Sequence, residues 1–125
     1  MQNEESREAY LTYFQKQSNC ELPYCIEVAS NREGAHVMVV GGTHGNEPAG
    51  VKAMVDFHQQ LQNGEIQLEG GKVSLLLGNP QGYQKDQRYI QWDLNRCFDT
   101  PDNTTIEGRR AIDIIQYLDQ KSDIS

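Results

Sequence analysis

One strand–turn–helix passage constrains this chain more than any other. The apolar run His36-Val37-Met38-Val39-Val40 ends in Gly41-Gly42-Thr43-His44-Gly45-Asn46-Glu47-Pro48, and a helical pattern then runs from Pro48 to about Leu61. Val51, Met54, Val55, Phe57, His58 and Leu61 fall near helical spacing. Pro48 suits the first helical turn, and Asn63-Gly64 stops the helix. A second continuous apolar run, Lys72 to Gly78, supplies the next strand. Strand, helix and strand make a βαβ unit, right-handed by default, with two parallel strands. Asn79-Pro80 ends the second of them on the same edge as His44.

The remaining chain is arranged around that unit. Residues Glu4 to about Gln17 read as a docking helix, with Tyr10, Leu11 and Phe14 as its apolar stripe. Leu22 to Ala29 alternates, placing Leu22, Tyr24, Ile26 and Val28 on one face of a strand. The turn cluster Ser30-Asn31-Arg32-Glu33-Gly34 then predicts an antiparallel hairpin between this strand and 36–40. The unbroken apolar character of 36–40 predicts a central strand covered on both faces. Gln81 to about Thr105 reads as a long polar loop, and loops of that length in compact domains usually serve function. Glu107 to about Leu118 is the last helix, with Ala111, Ile114, Ile115 and Leu118 as its apolar face. The expected fold is a single three-layer α/β domain over 1–125, a mixed sheet with flanking helices.

Composition narrows the function. Lysine plus arginine number 11 against 18 acidic residues, a net charge of −7, so no basic stripe exists to displace counterions and nucleic acid is excluded as a partner. Local arginines can still oppose that overall sign for a small anion. The hydrophobic share of 37% predicts a core that is thin, or one of which part belongs to further chain or a partner. No apolar run approaches the roughly 18 residues of a membrane span, and the acidic start Met1-Gln2-Asn3-Glu4-Glu5 is no signal peptide. Cys20, Cys25 and Cys97 form no paired zinc spacing. If Cys20 and Cys25 share a strand they stand roughly 17 Å apart, too far to bridge. Free thiols in a reducing cytoplasm are expected.

The chemistry concentrates at the strand ends, the edge where open α/β sheets bind ligands. His44 and Glu47, three apart on a tight turn, offer an imidazole and a carboxylate suited to Zn²⁺. His58 lies along the helix and His36 opens a strand, so both read as packed or surface histidines. The long loop carries Arg88-Tyr89-Ile90-Gln91-Trp92-Asp93-Leu94-Asn95-Arg96 toward the same edge. Arginine recognises carboxylates bidentately and steadies an oxyanion, and Asn95 adds an amide donor. The plain alternative is a solvated loop with a local Asp93–Arg96 ion pair. A phosphate loop, a His-Glu-x-x-His helix and a nucleophile elbow at Ser30 or Ser74 are all missing.

Together, Gly-Gly-Thr-His-Gly-Asn-Glu (41–47), Gly-Asn-Pro (78–80) and Arg-Tyr-Ile-x-x-Asp-Leu-Asn-Arg-Cys-Phe (88–98) resemble the succinylglutamate desuccinylase/aspartoacylase family, relatives of the zinc carboxypeptidases. The motifs occur in the family's order. The resemblance implies the N-terminal portion of a zinc carboxypeptidase-like fold and hydrolysis of N-acyl amino acids, small molecules that present carboxylates. It implies that His44 and Glu47 are two of three zinc ligands and that Arg88 polarises the scissile carbonyl. Asn95 and Arg96 would hold the substrate carboxylate, with Asp93 buttressing them. The family's third ligand is a histidine beyond the helix at Glu107–Leu118, yet no histidine follows His58. The family's general-base glutamate lies further on. The expectation is a chain that alone binds zinc weakly and turns over little substrate. Two other readings predict different behaviour. A non-catalytic, carboxylate-binding relative would bind anions regardless of chelators. A small α/β domain with an idle loop would ignore His44→Ala and Arg88→Ala. An exposed sheet edge, finally, predicts self-association.

Overall fold

A computed structural model of the chain describes residues 4–121. The elements follow the chain as α1 (Glu4–Gln17), β1 (Cys25–Ala29), β2 (His36–Gly41), α2 (Ala49–Gln62), β3 (Lys72–Leu77), α3 (Pro80–Gln84), α4 (Leu94–Cys97) and α5 (Ile106–Gln120). Met1, Gln2 and Asn3 of the acidic start and residues 122–125 of the polar tail lie outside the described residues.

The sheet is mixed and three-stranded, in the order β1-β3-β2. β2 and β3 run parallel, with Val37 opposite Val73 and Gly41 opposite Leu77. This is the predicted βαβ unit, with α2 as its crossover. Alternation along β3 then separates two cores. Val73, Leu75 and Leu77 face α1 and α2, packing with Phe14, Ile26, Val51 and Met54. Leu76 faces the other way, among Leu22, Leu94, Ala111, Ile114 and Tyr117 under α4 and α5. Helices on both faces of one sheet give the three-layer α/β architecture that the patterning predicts.

Several expectations are corrected. β1 and β2 do not form a hairpin. β3 lies between them and pairs antiparallel with β1, Cys25 opposite Leu76 and Ala29 opposite Lys72. The short turn at 30–34 therefore carries the chain across one strand position rather than back along its neighbour. The central strand is β3, buried from Val73 to Leu77, whereas β2 is an edge strand with Val37, Val39 and Val40 each more than 40% exposed. An apolar run announces a strand but not its rank in the sheet. The first strand begins at Cys25 rather than Leu22, because Tyr24 takes a positive φ of 60°. That kink sends Leu22 into the second core while Tyr24, Ile26 and Val28 stay with the first. The stretch 81–105 is not bare loop, since α3 and α4 are folded within or across its limits.

The set-aside histidines are packed, as expected. His58 is 2% exposed, with its Nδ1 on the Tyr13 hydroxyl. His36 is buried and its Nε2 lies 2.7 Å from Ser74 Oγ, which continues at 2.9 Å to the Tyr117 hydroxyl and from there to Glu27. Ser74 is itself fully buried, so this His–Ser pair is a core link between layers and no nucleophile. All three thiols are free. Cys20 is not on the strand; its Sγ lies 3.4 Å from the Cys25 carbonyl oxygen, far closer than an extended chain would place it.

Candidate functional site at the carboxyl edge of the parallel strands

The ends of β2 and β3 are knit together beyond the strands themselves. Gly78 N–H donates to Gly41 O at 2.8 Å and Asn79 N–H to Gly42 O at 3.0 Å, which brings the Gly-Gly-Thr-His turn beside Asn79-Pro80. Gly42 takes φ +72°, a conformation that only glycine adopts at no cost. Gly45 packs so tightly that a Cβ there would sit 2.1 Å from the Gly82 carbonyl carbon and 2.3 Å from Gln87 O. Its N–H donates to Arg88 O at 3.1 Å, and this hydrogen bond docks the third motif onto the first.

From this base the turn presents His44. Its Nδ1 lies 3.0 Å from Glu47 Oε2, and its Nε2 lies 3.0 and 3.1 Å from the two oxygens of Asp93. Asp93 caps α4 by accepting the Asn95 N–H at 3.0 Å. Arg88 Nη2 stands 3.5 Å from Asp93 Oδ2, with the guanidinium half exposed. Burial raises the Asp93 carboxyl's pKa, but the Asn95 N–H, His44 and Arg88 outweigh it and hold the group below the ordinary range. The side chains of His44 and Asp93 are largely covered, at 18% and 11% exposed, whereas Glu47 is open at 64%. The site is thus a largely covered, supported imidazole beside an exposed carboxylate.

His44, Glu47, Asp93 and Arg88 converge. Asn95 and Arg96 are exposed positions of α4 immediately after Asp93. The local Asp93–Arg96 ion pair of the plain reading is replaced by Asp93 pairing with His44 and Arg88, while Arg96 uses its backbone N–H on the Asp93 carbonyl. His44 is the imidazole and Glu47 the carboxylate available to a cation. Two acceptors 3.0 Å apart repel unless a proton or metal ion lies between them. The separation is close to the roughly 3.3 Å expected of two donors about 2.0–2.1 Å from a tetrahedral zinc. Asp93 lies on the opposite ring nitrogen, the position from which an outer carboxylate can orient a ligating histidine. Among the described residues no group of three or more His, Cys, Asp or Glu side chains is arranged to hold a metal.

Two charged residues of the site escaped the sequence reading. Arg7 of α1 is 4% exposed, and its guanidinium donates to Gly45 O at 2.8 Å, Tyr83 O at 2.7 Å and Asp86 Oδ1 at 3.0 Å. A signal was available: Arg7 precedes Leu11 by four and Phe14 by seven, on the apolar stripe itself. Glu107, at the start of α5, is fully buried and receives the N–H groups of Ile90, Gln91 and Trp92 together with Asn79 Nδ2. Nothing local distinguishes it from an ordinary first-turn acid.

A parallel strand pair whose carboxyl edge carries a braced histidine, a neighbouring carboxylate and an arginine defines an α/β protein with a candidate ligand site at the strand ends. The matching family narrows this class. Residues 33–123 match the model of the "Succinylglutamate desuccinylase/Aspartoacylase catalytic domain", and the chain belongs to that family. It is 41% identical over 88 residues to a "Probable aspartoacylase" of Trichodesmium erythraeum, covering 66% of this chain and 29% of that protein. It is 36% identical over 92 residues to the "N-acyl-aromatic-L-amino acid amidohydrolase (carboxylate-forming) B" of Danio rerio, covering 68% and 29%. In fold it resembles the crystal structure of the succinylglutamate desuccinylase from Chromobacterium violaceum, with a TM-score of 0.75 at 20% identity over 89% of this chain and 41% of that one. The chain thus spans less than a third of the length of these curated relatives. Among the described residues no helix is long and apolar enough to cross a membrane.

Proposed function

We propose that this chain supplies the His44–Glu47 edge of a zinc-dependent hydrolase of N-acyl amino acids, and that it corresponds to the N-terminal portion of a larger catalytic domain. The observation that carries the reading is His44 held between Asp93 on Nε2 and Glu47 on Nδ1, each at 3.0 Å. Family membership and the hydrolytic names of the relatives support the reaction class. In this reading His44 Nδ1 and Glu47 hold the ion, and a third ligand and a general base come from outside residues 1–125. Zinc, when bound, lowers the pKa of a water and polarises a carbonyl.

The chain's own residues do the rest. Asp93 keeps the Nε2 proton of His44 in place, so that Nδ1 offers its lone pair to the ion. Arg88, already on this edge and half exposed, turns its free N–H groups to the scissile carbonyl and stabilises negative charge developing there. Asn95 and Arg96 on α4 receive the carboxylate of the substrate, the arginine bidentately, and fix its register against Arg88. A cytoplasmic location agrees with three free thiols.

Calorimetric zinc titration of the chain and of His44→Ala tests the reading, with assay of an N-succinylglutamate and N-acyl-aromatic amino acid panel alongside. Weak zinc binding that His44→Ala abolishes, with little turnover by the chain alone, is the expected result. Zinc binding indifferent to His44→Ala would refute it. Carboxylate binding unaffected by chelator would instead support the non-catalytic relative.

A further inference from the structure

The Gly-Asn-Pro motif and the first turn of α5 have no part in the chemistry just described, yet they meet in a buried cluster behind it. Glu107 is 0% exposed. Its Oε2 accepts the Ile90 N–H at 2.6 Å and the Asn79 amide at 3.0 Å; its Oε1 accepts the Gln91 and Trp92 N–H groups, each at 3.0 Å. Four donors on one carboxylate satisfy both oxygens. Burial alone would raise its pKa, but these donors outweigh it and hold the group below the ordinary carboxyl value. Asn79 is fixed in turn, since its Oδ1 caps α3 on the Gly82 N–H and its backbone N–H is bound to Gly42 O.

Three consecutive amides caught by one anion leave the 90–92 backbone little freedom. Arg88 stands two residues before that clamp and Asp93 one residue after it. On its near side the segment is tied to the His44 turn through Gly45 N–H and Arg88 O. On its far side Asp93 is tied to His44 and to the Asn95 N–H. We infer that Glu107, braced by Asn79, is a positioning residue: its carboxylate sets the 90–92 backbone and thereby places Arg88 and Asp93 around His44. The inference rests on the proposed function for the importance of that placement, but the clamp itself is a property of the chain without metal or substrate.

Amide hydrogen exchange, followed by NMR on the whole chain, tests it. In Glu107→Gln the amide NH₂ must face donors where a carboxylate oxygen accepted them. Exchange at Ile90, Gln91 and Trp92 is expected to quicken tenfold or more relative to the β3 amides, and to spread several-fold to Gly45 and Asn95. Steady-state anisotropy of Trp92, the one tryptophan of the chain, is expected to fall with it. Glu107→Asp, which keeps the charge and withdraws it by one methylene, is expected to show the same selectivity with less loss of stability, so a poorly folding glutamine variant does not end the test. Ile114→Val, on the buried face of the same helix, is the control for general weakening and should quicken all these amides alike. Acceleration of 90–92 no greater than that of β3 overturns the inference. So does acceleration at 90–92 that never reaches Gly45 or Asn95, which would make Glu107 a tether of its own segment only. None of these readouts involves zinc, so loss of the zinc reading and loss of this one are seen separately.

Discussion

Replacing Arg7 by methionine removes a guanidinium from beneath the candidate site while keeping an unbranched apolar stem. The stem still packs on Tyr83, over whose ring the guanidinium carbon lies 4.5 Å from the centroid. What is lost are the two charge-assisted hydrogen bonds to Gly45 O and Tyr83 O, both buried. Hydrogen bonds to charged groups contribute about 1.5–3 kcal/mol each, and a buried acceptor left without a donor costs about 1–3 kcal/mol. The exposed Asp86 partner adds about 0–1 kcal/mol. Water entering the vacated space recovers part of this, which leaves an expected loss of about 3 kcal/mol. For a chain of 125 residues, with an unfolding entropy near 2.1 cal/mol/K per residue, that lowers Tm by about 11 °C. Urea denaturation followed by far-UV circular dichroism measures the change directly. The site should suffer beyond the fold, because Gly45 adjoins His44: zinc affinity of Arg7→Met is expected to drop even well below its Tm. A loss under about 1 kcal/mol would refute the reasoning, since it would mean that the Gly45 and Tyr83 carbonyls do not depend on Arg7.

Three further outcomes follow from the same geometry. Asp93→Asn keeps the shape of the side chain but weakens its hold on His44, so zinc affinity by calorimetry is expected to fall about 10–100-fold with helical content unchanged. Glu107 titrates below its unfolded value of about 4.3, so its stabilisation is fully present above that pH and is lost as pH falls through the depressed folded value. Urea midpoints measured from pH 6 to pH 3 should therefore drop more steeply for the native chain than for Glu107→Gln. Val39→Lys on the open β2 edge is expected to change stability by no more than about 0.5 kcal/mol while suppressing any concentration-dependent association seen by sedimentation velocity, and an unchanged association would place the contact elsewhere.

Where the signal was local, the residues announced the structure. The 3.6-residue periods at Val51, Met54, Val55 and at Ala111, Ile114 yield α2 and α5 within two residues of the expected ends, and α1 matches Glu4–Gln17. The glycines of the His44 turn mark where backbones touch, as Gly45 against Gly82 shows. What stayed hidden depends on partners distant in sequence. β1 lies closer to β2 in sequence than to β3, so the preference for neighbouring pairs favoured the wrong ladder. Val37–Val40 is apolar throughout and Val73–Leu77 is broken only by Ser74, so composition does not rank them, and the β1–β3 pairing decides which is central. Asp93 sits three residues from Arg96 and forty-nine from His44, so proximity in sequence suggested the wrong partner. Glu107 is seventeen residues from Ile90 and twenty-eight from Asn79, beyond the reach of any spacing rule.

Arg7 and Glu107 belong to opposite layers, one on α1 and the other on α5, and neither neutralises the other. Each binds mainly backbone instead: carbonyls for the guanidinium, beside Asp86, and N–H groups for the carboxylate, beside Asn79. Burying a charge is costly unless it is fully hydrogen-bonded, and the edge loops are where unpaired backbone groups are most abundant. Chain between α3 and α4 offers few apolar anchors, since Gln87, Arg88, Tyr89, Gln91 and Trp92 are exposed, so hydrophobic burial does not fix it. Charge-to-backbone bonding takes over that work, and at 90–92 it rests on one titrating carboxylate. The sheet rests on Leu75, Leu76 and Leu77, which acid does not touch, while the 90–92 clamp weakens as Glu107 takes up its proton. As pH falls below the ordinary carboxyl range, through the depressed value of Glu107, Trp92 anisotropy should therefore fall before the circular dichroism of the sheet and helices changes. Coincident transitions would show instead that the clamp and the core open as one unit.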